Sequence, residues 1–136
     1  MAEFGLHVTI DARECDKQKL ASYDLVYDVL DNLPGKIDMT KMTLPYVAKW
    51  LDKFAKGTPG ISGVVMIAES HIAIHTFPDQ DYVFIDVFSC RDFDSQKAIK
   101  YLVDAFGAKK YEIHKIKRGL DFPSKEPNEE LLTRAR

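Results

Sequence analysis

The chain has 136 residues and a mass of 15.5 kDa, which is about the length of one average domain. Hydrophobic residues make up 46% of it and charged residues 29%, a balance typical of globular rather than disordered proteins. The 19 basic and 21 acidic residues leave a net charge of -2, which argues against a protein that mainly neutralises nucleic-acid phosphates.

Only two cysteines are present, Cys15 and Cys90, so the sequence excludes a disulfide framework and a cysteine-rich zinc site. It has no run of about 18 apolar residues, which excludes a membrane-spanning helix. We therefore expect one soluble, cytoplasmic domain with neither nucleic acid nor membrane among its partners.

In chain order, the first half predicts a strand, a helix and a second strand. Residues 6–10 alternate apolar and polar side chains, which is the period of a half-buried strand. Asp16 is a suitable N-cap for a helix whose apolar positions recur from 20 to 30, and we expect Pro34-Gly35 to end it. Residues 37–39 indicate a second strand. Residues 43–56 fit either a helix face or an irregular extended segment.

The second half predicts further strands and the clearest helix of the chain. The segments typical of strands are 64–68, 72–74, 82–88 and 111–116. Asp94 is a suitable N-cap for the helix, and Gly107 lies where a C-terminal glycine belongs. Residues 120–136 form a charged, proline-containing tail.

This order of elements predicts an α+β fold with an antiparallel sheet, because short connections place successive strands side by side. Two amphipathic helices can cover only one face of such a sheet. The other face should keep much apolar surface, so we expect two copies to pack sheet to sheet as an α/β/β/α sandwich.

The segment Glu69-Ser70-His71 interrupts an apolar strand region without any of the usual turn residues. His75 lies five residues after Ser70, and Cys90 ends the strand expected to pair nearby. A hydroxyl, an imidazole and a thiol could thus converge at one end of the sheet. The spacing of these residues alone favours a structural role over a catalytic one. In that interpretation the serine forms a local hydrogen bond, the histidine has its hydrogen-bond partners, and the cysteine is chemically inert.

Other chemistries are less well supported by the same residues. On a strand, His71 and His75 stand roughly 13 Å apart, too far to share a metal ion, so we predict no metal site. No G-x-S-x-G elbow surrounds Ser70, which argues against a serine hydrolase. A hydrolase that uses Cys90 and His75 remains an alternative. The basic residues between 109 and 118 fit a solvated strand edge better than a site for an acidic partner.

Two segments carry a resemblance to a known family: SGVVMIAESHIAIHTFPD at 62–79 and YVFIDVFSC at 82–90. Both are similar to the small prokaryotic class of S-adenosylmethionine decarboxylases, and weaker similarity covers most of 4–119. The resemblance implies a pyruvoyl decarboxylase domain at 1–119, followed by the tail at 120–136. It also implies an antiparallel sheet with helices on one side, paired sheet to sheet in a dimer of αβ units.

The resemblance implies a proenzyme, or zymogen, that cuts its own backbone between Glu69 and Ser70. The products would be a β chain of residues 1–69 and an α chain beginning at residue 70. The Ser70 hydroxyl would attack the Glu69 carbonyl, and elimination would turn the serine into a pyruvoyl group. His75 matches the family's processing base, and Ser62 matches a family serine near the same step.

The covalent pyruvoyl group would replace pyridoxal phosphate as the source of an electrophilic carbonyl. It would form a Schiff base with S-adenosylmethionine, the implied partner, and carbon dioxide would leave. Cys90 matches the family's proton donor, and thiols are mostly protonated near neutral pH. Decarboxylated S-adenosylmethionine would then serve spermidine and other polyamine biosynthesis.

Substrate contacts differ from the usual family pattern at two positions. Phe77 stands where the family commonly has tryptophan, and Asp79 where it has a glutamate associated with the ribose hydroxyls. The segment 43–56 also looks longer than usual. Arginine or ornithine therefore remain alternative substrates. A non-cleaving binding or regulatory subunit is a further alternative, against which the joint presence of Ser70, His75 and Cys90 speaks.

Overall fold

The structure, a computed structural model, describes residues 4–50 and 57–123. Its strands are β1 (Gly5–Arg13), β2 (Tyr46–Trp50), β3 (Gly60–Ile67), β4 (Ser70–Phe77), β5 (Tyr82–Ser89) and β6 (Lys110–Arg118). Its helices are α1 (Lys17–Leu20), α2 (Tyr23–Lys36) and α3 (Ser95–Ala105), and a 3-10 turn at Pro78–Gln80 joins β4 to β5. None of these helices is long and apolar enough to cross a bilayer.

All the described strands form one antiparallel sheet in the order β2-β3-β4-β5-β1-β6. The first strand of the chain therefore lies near one edge, between β5 and β6. The hairpins β3–β4 and β4–β5 occupy the middle of the sheet. This arrangement confirms the predicted α+β fold with an antiparallel sheet.

The helices lie on one face of the sheet and share a single core with it. α2 packs on β2 and β3, and α3 packs on β1 and on α2. Strand β1 shows how alternation builds this core: Val8, Ile10 and Ala12 are buried, whereas His7 and Thr9 point to the other face and are half-buried. Burial of these apolar side chains drives the sheet and helices together.

Gly63 sets how closely α2 approaches the sheet. A Cβ at this position would lie 2.7 Å from Leu30 Cδ1 and 3.1 Å from both Val26 Cγ1 and Val47 Cγ2. A side chain here would have to push the Leu30 side chain aside. Glycine thus lets α2 pack closely on the strand that leads to residue 69.

The helix caps agree with the sequence at three positions. The Asp16 and Asp94 side chains accept hydrogen bonds from the backbone N–H of Lys19 and Lys97, at 3.2 and 3.0 Å. Gly107 follows α3 with a φ of 63°, the left-handed conformation that glycine adopts without strain. Asp16, however, caps the separate short helix α1, and α2 begins at its own cap, Ser22.

The prediction of a strand at residues 37–39 was wrong. α2 continues through Pro34-Gly35 to Lys36, and the Pro34 carbonyl accepts from the N–H groups of both Ile37 and Met39. Ile37 and Met39 are apolar because they are buried under the helix end, not because they alternate on a strand. The helix ends one residue after Pro34-Gly35, so the end expected from this pair is met closely.

The undecided segment at 43–56 divides into two parts. Residues 46–50 form the edge strand β2, and residues 51–56 lie outside the described residues. The tail prediction also falls mainly outside them, since only residues 120–123 are described. There the Phe122 ring packs on Phe4, with 4.4 Å between ring centroids.

The sheet face away from the helices, called the open face below, carries many exposed apolar side chains. They are Tyr46, Trp50, Val64, Met66, Phe77, Phe84 and Ile116. Tyr46 is 75% exposed and Met66 50%. A folded monomer rarely exposes so many large apolar groups on one surface.

Candidate active site

The bond between Glu69 and Ser70 lies at the tip of the β3–β4 hairpin. β3 ends at Ile67 and β4 begins at Ser70, so Ala68 and Glu69 form the turn. The Ala68 N–H donates to the Thr40 carbonyl at 2.8 Å, which braces this turn against the segment after α2. The interruption seen in the sequence is therefore a two-residue turn at 68–69, held by tertiary contacts rather than by turn-forming residue types, and Ser70 and His71 already belong to β4.

The end of β5 lies directly beside this tip. Ser70 pairs with Ser89 across β4 and β5, and the backbone N–H of Cys90 donates to the Glu69 carbonyl oxygen at 2.8 Å. A short hydrogen bond to this oxygen draws electrons from the carbonyl carbon and makes it easier to attack. The structure thus places Ser70 and the backbone of Cys90 together beside Glu69, which are two of the three residues expected to converge.

The Glu69 side chain is held as firmly as its carbonyl. Its carboxylate is only 12% exposed, accepts from the Thr40 N–H at 3.2 Å, and lies 3.9 Å from the Arg91 guanidinium. Arg91 in turn donates to the Asp38 carbonyl. Both the carbonyl group and the side chain of Glu69 are therefore held by neighbouring segments.

His75 and Ser62 form a second pair, at the other end of the same hairpin. They are opposite each other in the β3–β4 register, and Ser62 Oγ lies 2.9 Å from His75 Nδ1. His75 is five residues beyond Ser70 on β4, which corresponds to about 16 Å along the strand. Within one chain, the structure does not bring His75 to Ser70, and the expected convergence of all three groups at one end of the sheet does not occur.

Two cavities flank the Ser62–His75 pair on the open face. One, of about 570 Å³, runs along β2–β4 and is lined by Tyr46, Met66, Ser70 and His75 among others. The other, of about 400 Å³, lies between the 57–60 loop and the end of β4.

The smaller cavity contains both substrate-contact candidates, Phe77 and Asp79, together with Trp50. Phe77 is 40% and Trp50 61% exposed, so both rings are accessible. Asp79 Oδ2 accepts from the Thr58 N–H at 3.0 Å, so one carboxylate oxygen already positions the loop. Trp50 was not expected here, because its place on a strand in the undecided segment could not be read from the sequence.

A cluster of His7, His71 and Asp86 occupies the middle of the open face. Asp86 Oδ1 lies 2.9 Å from His71 Nε2 and 3.2 Å from His7 Nε2, close enough for the three groups to hold a metal ion. The Arg118 guanidinium, however, lies 3.4 Å from His7 Nδ1. Arginine can only donate, so a hydrogen bond between them makes Nδ1 the acceptor and leaves the proton of a neutral ring on Nε2, which faces Asp86. The cluster is better explained as a hydrogen-bond network than as a metal site.

Comparison with known proteins gives a consistent result. The model of the S-adenosylmethionine decarboxylase family matches residues 6–119. An S-adenosylmethionine decarboxylase proenzyme of Clostridium botulinum (strain Langeland) is 40% identical over 116 residues, covering 85% of this chain and 94% of the relative. One of Pyrococcus furiosus is 32% identical over 123 residues, covering 89% and 83%. A crystal structure of the adenosylmethionine decarboxylase from Aquifex aeolicus matches 95% of this chain and all of that one, with a TM-score of 0.77 and 25% identity.

Proposed function

The chain belongs to the S-adenosylmethionine decarboxylase family, and on that premise we propose how it activates itself and acts. Its function is the decarboxylation of S-adenosylmethionine; arginine, ornithine and a non-cleaving subunit are not favoured. We propose that it is made as a proenzyme and cut between Glu69 and Ser70. The observation that carries this proposal is the 2.8 Å hydrogen bond from the Cys90 N–H to the Glu69 carbonyl oxygen.

Cleavage begins when the Ser70 hydroxyl oxygen bonds to the Glu69 carbonyl carbon. The C–N bond between the two residues breaks, and the hydroxyl proton ends on the freed nitrogen, so an amide becomes an ester. During the attack the Glu69 oxygen becomes anionic, and the Cys90 N–H that already contacts it stabilises that charge.

Elimination then divides the chain. A base removes the Ser70 Cα proton, the Cβ–O bond breaks, and Glu69 leaves as a carboxylate. The resulting dehydroalanine, an enamine, takes a proton at Cβ and becomes an imine. Water hydrolyses the imine, ammonia leaves, and residue 70 becomes a pyruvoyl group. This group supplies the electron-accepting carbonyl that decarboxylation of an amino acid requires.

We infer that His75 serves this cleavage from a second copy of the chain. It lies about 16 Å along β4 from its own Ser70, beyond the reach of proton transfer. It also lies on the open face, where the exposed apolar side chains need a cover. Two copies packed sheet to sheet bury that face and allow the Ser62–His75 pair of each to approach the other's hairpin tip. The mature unit is then two α and two β chains.

In the same sheet-to-sheet pair, the smaller cavity of one copy faces residue 70 and Cys90 of the other, and the chemistry of its lining fits the substrate. Adenine and the sulfonium cation both favour aromatic faces, and Trp50 and Phe77 supply two. Asp79 offers a carboxylate oxygen to the ribose hydroxyls. Cys90, half-buried beside residue 70, returns a proton to the carbon that loses carbon dioxide. A cytoplasmic location stays a prediction.

The proposed substrate is tested with purified, processed enzyme and three carboxyl-labelled amino acids. Labelled carbon dioxide should be released from S-adenosylmethionine and not from arginine or ornithine. The Ser70→Ala variant, which cannot form the pyruvoyl group, is the matched control and should release none. Release from arginine or ornithine alone would contradict the assignment.

A further inference from the structure

Ser89 has a buried hydroxyl that the mechanism above does not use. The residue is fully buried at the end of β5, directly before Cys90. Its Oγ donates to the Arg91 carbonyl at 2.6 Å and accepts from the Arg91 N–H at 3.0 Å. A single hydroxyl thereby closes a tight bend whose middle residue is Cys90.

Two residues of this bend, Cys90 and Arg91, contact Glu69. The Cys90 N–H bonds the Glu69 carbonyl oxygen, and the Arg91 guanidinium lies 3.9 Å from the Glu69 carboxylate. The direction of the Cys90 N–H depends on the backbone conformation at residues 89–91, which the Ser89 hydroxyl fixes. A backbone donor stabilises a developing oxyanion only when it already points at the position that the charge will occupy.

The close approach of β1 supports the same bend from the other side. A Cβ on Gly5 would lie 2.0 Å from the Ser89 carbonyl oxygen and 2.8 Å from Cys90 Cα. The absence of a side chain at Gly5 therefore lets β1 press directly on the peptide that carries the Cys90 N–H. The bend is constrained by an internal hydroxyl and by an adjoining strand.

From this geometry we propose that Ser89 is a positioning residue for self-cleavage. Its hydroxyl holds the Cys90 N–H on the Glu69 carbonyl oxygen and so accelerates the conversion of amide to ester. The inference rests on the proposed self-cleavage between Glu69 and Ser70. It adds a positioning residue to the first chemical step, in which the full negative charge of the tetrahedral intermediate forms on that oxygen.

The test follows cleavage of freshly refolded precursor by intact mass for the wild type, Ser89→Ala and Ser89→Thr. Removing one oxyanion donor outright costs about a hundredfold or more in rate, so misdirecting it should slow Ser89→Ala by at least about tenfold. Ser89→Thr keeps the hydroxyl and should recover most of the rate. A rate for Ser89→Ala within about twofold of the wild type would overturn the proposal.

Ser22→Ala is the control for a general loss of stability. The Ser22 hydroxyl also accepts from a backbone N–H, that of Leu25 at 3.1 Å, but it caps α2 away from the hairpin tip. Its removal should lower the thermal midpoint without slowing cleavage. If Ser22→Ala and Ser89→Ala slow cleavage equally, the effect of Ser89 is structural and the proposal fails.

Hydroxylamine separates the two steps, since it cuts esters but not amides. Added to Ser89→Ala, it should not restore the wild-type rate of chain cutting, because little ester forms. Restoration would place the defect after ester formation and contradict the positioning role. If the wild type itself stays uncut, the proposed self-cleavage fails instead, and the two failures are thereby distinguished.

Discussion

At the scale of single residues, Cys90 contributes two different groups to the site. Its backbone N–H contacts the Glu69 carbonyl oxygen, whereas its thiol is assigned the proton transfer that ends decarboxylation. Cys90→Ala removes only the thiol, so self-cleavage should proceed and release of carbon dioxide should fall by at least about a hundredfold. Intact mass and labelled carbon dioxide release measure the two effects on the same sample.

The other cysteine provides the matched control. Cys15 is buried, and this burial, followed by the nearby charge of Asp81, raises the pKa of its thiol to about 11. It lies outside both cavities. Cys15→Ala should lower stability but leave the decarboxylation rate per folded enzyme unchanged. Normal activity in Cys90→Ala would show that another group donates the proton.

At this scale the sequence suggests candidate reacting side chains but not their supports. Ser70 and Cys90 were assigned roles by the resemblance to the family, since spacing alone favoured inert residues, and these roles stay predictions. The Cys90 N–H and the Ser89 hydroxyl could not be identified, because a backbone amide belongs to every residue and a serine in a strand is common. The pairing of β4 with β5 sets Ser89 opposite Ser70 and the Cys90 N–H on the Glu69 carbonyl oxygen.

At the scale of secondary-structure elements, the stability of helix α3 depends on its N-cap. Asp94 Oδ1 accepts from the Lys97 N–H at 3.0 Å and starts the helix that covers β1. Asp94→Ala should destabilise the protein by about 1 kcal/mol. The thermal midpoint should fall by roughly 3–5 °C when measured in uncleavable Ser70→Ala protein, which keeps the chain in one piece.

Asp104, on the same helix, is the control for charge. It forms an exposed ion pair with Lys100, at 2.9 Å one turn away, and such pairs contribute little to stability. Asp104→Ala should therefore change the midpoint much less than Asp94→Ala. Equal changes for the two variants would mean that charge, not capping, is what Asp94 contributes.

Elements were predictable where local chemistry decides them and not where packing does. The cap at Asp94 and the alternation in β1 depend on nearby residues, and these predictions were confirmed. Asp16 is also a cap, but of the short helix α1 and not of the helix that was expected to follow it. Residues 37–39 show where prediction from local sequence fails. Apolar residues at alternate positions occur both on strands and in a loop that closes the core under a helix end, and the sequence does not distinguish the two.

At the scale of the whole molecule, His75 can act either on its own chain or on a second copy. The strand rise that separates His71 from His75 also separates Ser70 from His75, and nothing in the sequence indicates which copy of the chain a residue serves. The open face was predicted from the number of helices, and the structure has it. The dimer that would cover it remains a proposal.

Mixed dimers test the action of His75 on a partner chain. A Ser70→Ala chain retains His75, and a His75→Ala chain retains Ser70, so neither should cut itself efficiently when expressed alone. Coexpressed with different tags, they should form mixed dimers in which the His75→Ala chain is cut. Intact mass identifies which chain is divided. No cutting in purified mixed dimers, with wild-type dimers cut in parallel, would mean that His75 serves its own chain.

The central claim is tested most directly by the intact mass of the purified protein under denaturing conditions. Cleavage before Ser70 predicts two fragments, of 69 and 67 residues, in place of the 15.5 kDa chain. The C-terminal fragment should be lighter by one ammonia than a fragment beginning with serine, which is the signature of the pyruvoyl group. A single species at 15.5 kDa after prolonged incubation would contradict self-cleavage and with it the pyruvoyl mechanism.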